Sequence, residues 1–195
     1  MSSQPHTVLP WVVRRTRLPL LSLRCVDCRS ESATTGEGRF RVNANRNLLD
    51  VWLLVRCVFC DRTSKLTVYE RAPVRSFDPV ELNGYHANDP ELVASRLLDP
   101  LFARRNHFSL DWKEAWRLDT PSGLVDEVWP VQVEVVFEAP VPVRPERLIA
   151  QGLDLSRSEV RRRIKCAVPL RRPTSAGFAF TVMARAHQRG RRRRA

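Results

Sequence analysis

Lysine is scarce in this chain. Of its 33 basic residues only Lys65, Lys113 and Lys165 are lysines, and the remainder are arginines. No apolar run approaches the ~20 residues a membrane-spanning helix needs. There is no Gly-rich phosphate-binding loop, no serine nucleophile elbow and no His-Glu-x-x-His helix, so phosphoryl transfer, serine hydrolysis and zinc-peptidase chemistry are left without a motif. His6, His86, His107 and His187 form no pattern around Cys166, which therefore lacks the base a nucleophile needs and reads as a small buried helix residue. Residues 1–24 hold Arg14, Arg15, Arg17 and Arg24 without an acid, but Pro10 and Pro19 interrupt them and no leader-like apolar region or cleavage site is visible. With no general base, nucleophile or open metal site to name, a cytoplasmic, non-enzymatic protein is expected.

The cysteines are few and patterned. Four of the five stand in two C-x-x-C pairs, Cys25-Val26-Asp27-Cys28 and Cys57-Val58-Phe59-Cys60, each at the end of an extended run. Four soft thiolates offered from two tight turns suit one tetrahedral Zn²⁺, and a shell of four protein ligands leaves no open position, so a structural ion, one per chain, is expected. The same usage fits a reducing compartment better than a disulfide framework. The 28 residues between the pairs make a long hairpin, and Arg29 and Asp61 stand where a glycine commonly follows a knuckle cysteine. The formal net charge of +12 favours polyanionic partners.

Periodicity supplies the rest of the layout. Trp11 to Val13 and Leu18 to Arg24 read as strands leading into the first cysteine turn, and the Ser/Thr/Gly-rich stretch from Ser30 to Gly38 as a loop. Phe40 to Ala44 and Leu48 to Cys57 read as strands joined at Asn45-Arg46-Asn47, where asparagine tolerates the left-handed backbone of tight turns. Asn43, Asn45 and Asn47 are accordingly structural. In the second strand Leu49, Val51, Leu53 and Val55 share one face, with Asp50, Trp52, Leu54 and Arg56 on the other. Asp78-Pro79, Asp89-Pro90 and Asp99-Pro100 each set a capping side chain before a proline, predicting helices near 79–85, 90–98 and 100–105, with Leu92, Leu97, Leu98, Leu101 and Phe102 inward. Val131 to Phe137 and Phe178 to Ala184 read as strands that pair with each other. Between them a helix is expected over 146–152, and Ser156 caps a second that runs to about Cys166. At 100° per residue that second helix sets Arg157, Arg161 and Lys165 in a ridge, with Arg162 beside it, against Val160 and Ile164.

Arg144-Pro-Glu-Arg147-Leu148-Ile149-Ala150, Leu153-Asp-Leu-Ser156-Arg157-Ser158-Glu-Val160 and Ile164 resemble the start of the RNA-binding domain shared by a small-subunit ribosomal protein, pseudouridine synthases and tyrosyl-tRNA synthetases. The resemblance implies that Arg144, Arg147, Ser156, Arg157, Arg161, Arg162 and Lys165 contact structured RNA, ribosomal or transfer. A second resemblance rests on Trp11, the first C-x-x-C, Phe40-Arg41-Val42-Asn43-Ala44-Asn45, Leu49-Asp50-Val51-Trp52-Leu53, Cys57-x-x-Cys60-Asp61 and the late Ser-Arg-Ser. These look like an uncharacterised bacterial family known only as a domain of unknown function, which implies layout but no activity.

An α+β protein follows: a zinc-ribbon-like antiparallel sheet over 1–72, short helices and strands over 73–139, an α/β module with the two-helix RNA-binding-like motif over 140–188, and a basic tail over 189–195. The expected role is binding of structured RNA. The alternatives are a zinc-ribbon protein–protein adaptor and a DNA-associated transcription accessory.

Overall fold

A computed structural model describes residues 8–121 and 130–183. The basic tail from Arg189 lies wholly outside them, and so does the last residue, Ala184, of the strand expected over 178–184. The fold is α+β, with two five-stranded sheets and few short helices. The chain divides into two compact units, Arg17–Ala115 and the pair of segments Met1–Thr16 and Trp116–Ala195. This differs from the four consecutive segments expected from sequence. The central helices fold onto the cysteine-bearing sheet, and the first strand leaves it.

That first strand, β1 (Val8–Arg15), was expected to lead into the cysteine turn. Instead it pairs in parallel with β8 (Val131–Phe137) and antiparallel with β7 (Trp116–Asp119). Trp11 and Val13 face inward there and are fully buried. As expected, β8 pairs antiparallel with β10 (Phe178–Val182), and β9 (Ile164–Cys166) completes the order β7-β1-β8-β10-β9. Leu148 and Ile149 of α4 (Pro145–Leu153) and Val160 of α5 (Arg157–Arg163) are buried. The Trp11 ring meets Phe180 edge-on at 5.2 Å, and Gly152 of α4 lies so close that a Cβ there would fall 2.3 Å from the Trp11 ring. Ser156 caps α5 in a reciprocal box with Glu159. The helix nevertheless ends at Arg163, short of Cys166. β-branched Ile164 turns extended to pair with Val182, which places Lys165 and half-buried Cys166 on a strand.

The Arg17–Ala115 unit holds an antiparallel sheet in the order β5 (Thr63–Pro73), β4 (Leu48–Cys57), β3 (Ser32–Asn45), β2 (Leu20–Ser22), β6 (Ser109–Asp111). The loop expected from Ser30 to Gly38 is mostly strand. β3 runs through it by slipping register between Thr34 and Arg39, and the left-handed positions this creates are filled by Gly36 and Gly38. In the hairpin turn the left-handed residue is Arg46, at φ 55°, rather than an asparagine.

Helices α1 (Pro79–Ala87), α2 (Pro90–Leu98) and α3 (Pro100–Arg105) start where their Asp-Pro pairs predict. Asp78, Asp89 and Asp99 accept from the backbone N–H of Val80, Glu91 and Leu101 at 2.7, 2.8 and 2.8 Å. Val93, Leu97 and Phe102 join Tyr85, Phe40, Val51, Leu53, Val55, Leu66 and Val68 in the core, whereas Leu101 is 65 % exposed. Two asparagines splice the helices to the sheet. Asn88 Oδ1 accepts from Phe40 N at 2.6 Å, and Asn106 accepts from Thr67 N at 2.7 Å while donating to its carbonyl. The side-chain amides thereby satisfy strand groups that no neighbouring strand meets.

Candidate metal centre

The two C-x-x-C pairs occupy matching turns. The first links β2 to β3 and the second links β4 to β5, so the β3–β4 hairpin spans them as the spacing predicts. Their backbones repeat one pattern. Arg29 N donates to Cys25 O at 3.0 Å and Cys25 N to Ser30 O at 2.7 Å; Asp61 N donates to Cys57 O at 3.1 Å and Cys57 N to Arg62 O at 2.9 Å. Arg29 and Asp61 close the turns at φ 62° and 56°, the left-handed region a glycine would occupy at lower cost. Arg29→Gly is therefore expected to stabilise the unit by about 0.5–1 kcal/mol, seen as a higher melting temperature; an unchanged or lower one would count against strain at this turn.

All four Sγ atoms lie within 4.8 Å of one another, with Cys25 and Cys60 at 3.6 Å and Cys28 and Cys57 at 3.5 Å. Thiolates about 2.3 Å from a tetrahedral ion lie roughly 3.8 Å apart. The four sulfurs therefore fit a single metal ion, and their soft donor chemistry suits zinc. Cys25 and Cys57 are buried, Cys28 is half-buried and Cys60 exposed. The backbone N–H groups of Cys60 and Phe59 point at the Cys57 sulfur and lower its thiol to about 6. Those of Cys28 and Asp27 lower Cys25 likewise. At Cys28 the N–H of Ser30 pulls downward, but burial and the three neighbouring sulfurs outweigh it and push the thiol up to about 12. Turn amides aimed at sulfur favour thiolate, the form a metal binds.

Sequence reasoning missed the latch between the turns. Arg62 donates to both carboxylate oxygens of Asp27 at 2.6 Å. An acid inside the first turn and a base just after the second were the available signal. Both side chains are about half exposed, so solvent screens the pair and it acts as a weak latch.

The seven residues expected to contact RNA all lie in the other unit. Arg144 is the N-cap of α4 and Arg147 is exposed on that helix. Ser156 caps α5, which carries Arg157, Arg161 and Arg162. The predicted ridge is not formed, because Lys165 stands on β9 rather than on a further helical turn. Arg161 is also engaged, donating from Nε to Glu146 at 2.6 Å, and Glu146 is 7 % exposed. Arg161→Glu would set two carboxylates together and is expected to cost about 2 kcal/mol, below the ~3–5 of a fully buried pair because Arg161 itself is half exposed. Arg157→Glu, at an exposed position without an acidic partner among the described residues, is expected to stay within about 0.5 kcal/mol of wild type. Equal denaturant midpoints for the two variants would refute this structural role of Arg161.

Among the described residues no helix is long and apolar enough to cross a membrane. No curated protein and no solved structure matches the chain, and the RNA-binding resemblance gains no support from these comparisons. Residues 42–169 match a protein family, a span that includes Cys57 and Cys60 but begins after Cys25 and Cys28. Because the match covers more than half of the chain, the protein belongs to the family described as Protein of unknown function (DUF1062).

Proposed function

We propose that the protein is a non-enzymatic, cytoplasmic nucleic-acid-binding protein whose partner is structured RNA. In this reading one structural Zn²⁺ at Cys25, Cys28, Cys57 and Cys60 holds the end of its cysteine-bearing sheet. The observation that carries the proposal is unneutralised positive charge. The chain has a net charge of +12, and Arg144, Arg147, Arg157, Arg162 and Lys165 are exposed without an acidic partner among the described residues. Such a surface gains free energy by releasing counterions from a phosphate backbone. The closed four-sulfur shell favours a metal that shapes the protein over one that binds substrate.

Fluorescence anisotropy with a labelled stem-loop RNA, a duplex DNA and a salt series tests this reading, together with elemental analysis. Tighter binding to the RNA is expected, with log K falling against log salt at a slope of roughly −3 to −5 for four to six phosphates, and one zinc per chain. Absence of binding at low salt, or equal affinity for duplex DNA, would overturn the RNA assignment. Iron in place of zinc would overturn the metal's identity.

One observation favours a second reading, a protein–protein adaptor. The cysteine turns expose Val26, Val58 and Phe59 at 74, 54 and 82 %, and apolar side chains so displayed commonly mark contact sites. Failure to bind any polyanion would leave this reading standing.

A further inference from the structure

The cysteine-bearing sheet has two faces. One is the core beneath α1, α2 and α3. The other carries, in register, Arg39 beside Leu54 and Lys65, then Arg41 beside Trp52 and Thr67, with Arg56 one step further along β4. Arg39, Arg41, Arg56 and Lys65 are exposed and none has an acidic partner among the described residues. Trp52 is half-buried at the centre of this face rather than in the core, and Lys65 Nζ stands 4.6 Å from its ring centroid, so the ring presents a π-face to a cation. The acids lie at the two ends. Asp50 accepts from Arg71 N at 2.8 Å, and Glu37 lies beside a depression of about 470 Å³ where Gly36, Arg39, Leu54 and Arg56 meet.

We propose that this face binds an unpaired stretch of nucleic acid, with a base stacked on Trp52 and phosphates held by Arg39, Arg41, Arg56 and Lys65. The proposal rests on the nucleic-acid-binding reading above and adds to it a second contact surface, one that takes the unpaired stretches of a structured RNA. Residues two apart on a strand are about 6.8 Å apart and neighbouring strands about 4.8 Å, so four cations ring one aromatic within a patch roughly the size of a few nucleotides. Aromatic stacking accepts any base, and the cations track the backbone, which is the chemistry of single-strand recognition. A duplex hides its base faces, so Trp52 would have nothing to stack on.

The test uses the full-length, metal-loaded chain and a labelled oligouridine of roughly twelve nucleotides, within the range such surfaces span. The oligothymidine equivalent shows whether RNA is required, and a duplex of equal charge serves as competitor. Wild type is expected to bind the single strand with a salt slope near −3 for four phosphates, and with quenching of tryptophan fluorescence. Trp52→Phe should keep affinity within about threefold but lose the quenching, whereas Trp52→Ala should weaken binding about ten- to a hundredfold. Arg39→Gln combined with Arg41→Gln and Lys65→Gln, all at exposed positions, should flatten the salt slope by about 2. Binding to single strands that is indifferent to the Trp52 and sheet-cation changes would overturn this site while leaving the general reading intact. No binding to any nucleic acid would overturn both. A duplex that competes as well as the single strand would remove the stacking role.

Discussion

Stripping the metal with a strong chelator, or replacing buried Cys57 with serine, is expected to unfold the Arg17–Ala115 unit from its cysteine end. The reason is one of magnitude. A structural zinc site of four cysteines contributes roughly 10–16 kcal/mol of apparent binding free energy, while a whole domain is stable by about 5–15 kcal/mol. Without the ion, four sulfurs are held within 4.8 Å of one another by two turns that each carry a left-handed non-glycine residue. Loss of sheet circular dichroism together with four newly reactive thiols is the expected record. An unchanged sheet with freely titratable thiols would show that the turns need no metal. Acid should act in the same direction as chelator. Every ligand must be a thiolate, so protons compete with the ion and affinity rises with pH. Cys28, whose thiol is pushed up to about 12, would release its proton on loading, whereas Cys57, lowered to about 6, is already largely thiolate at neutrality.

Gly152→Ala is expected to destabilise the other unit by about 2–3 kcal/mol, with overpacking outweighing helix propensity. Propensity alone predicts the opposite sign, because alanine in a helix is favoured over glycine by about 1 kcal/mol. The decisive contact is steric. An added Cβ would fall 2.3 and 2.4 Å from two Trp11 ring carbons and 2.9 Å from Leu118, and Trp11 is fully buried against Phe180 with no room to retreat. Denaturant melts would show the loss. Combining Gly152→Ala with Trp11→Phe should recover part of it, because a smaller ring yields the space, giving a favourable coupling in the double-mutant cycle. A more stable Gly152→Ala variant would mean that α4 shifts away freely.

Features written locally were legible in the sequence. The three Asp-Pro pairs started three helices, alternation in β4 separated Val51 and Leu53 from Trp52 and Arg56, and the cysteine spacing marked both turns. What failed depended on distant partners. The destination of β1 is decided by Trp11 meeting Phe180, a contact across most of the chain that no window reveals. The Arg157–Arg161–Lys165 ridge assumed that helical period would persist, but Ile164 pairs with Val182 and ends it. Reading Ser30 to Gly38 by composition alone missed that glycines let a strand slip register as well as stop. The basic outer face needed β3 and β5 set beside β4, because Arg39, Trp52 and Lys65 approach only through pairing.

The parallel pairing of β1 with β8 bears on how the chain is born. On the ribosome the apolar run from Val8 to Val13 is made long before its partners: those in β7 begin at Trp116, and the parallel ones in β8 only at Gln132. At roughly 5–20 residues per second that interval lasts about 6–25 s, during which an unpaired hydrophobic strand edge is open to misassociation. The Arg17–Ala115 unit is contiguous, and its own ends are drawn together where Leu20 faces Asp111 and Ser22 faces Ser109. It can therefore close, with all four clustered cysteines already made, while β1 still waits. Vectorial synthesis thus assigns the order: the inserted unit matures first, and the sheet encoded by the two ends of the chain is completed only after Phe178 to Val182 have been made.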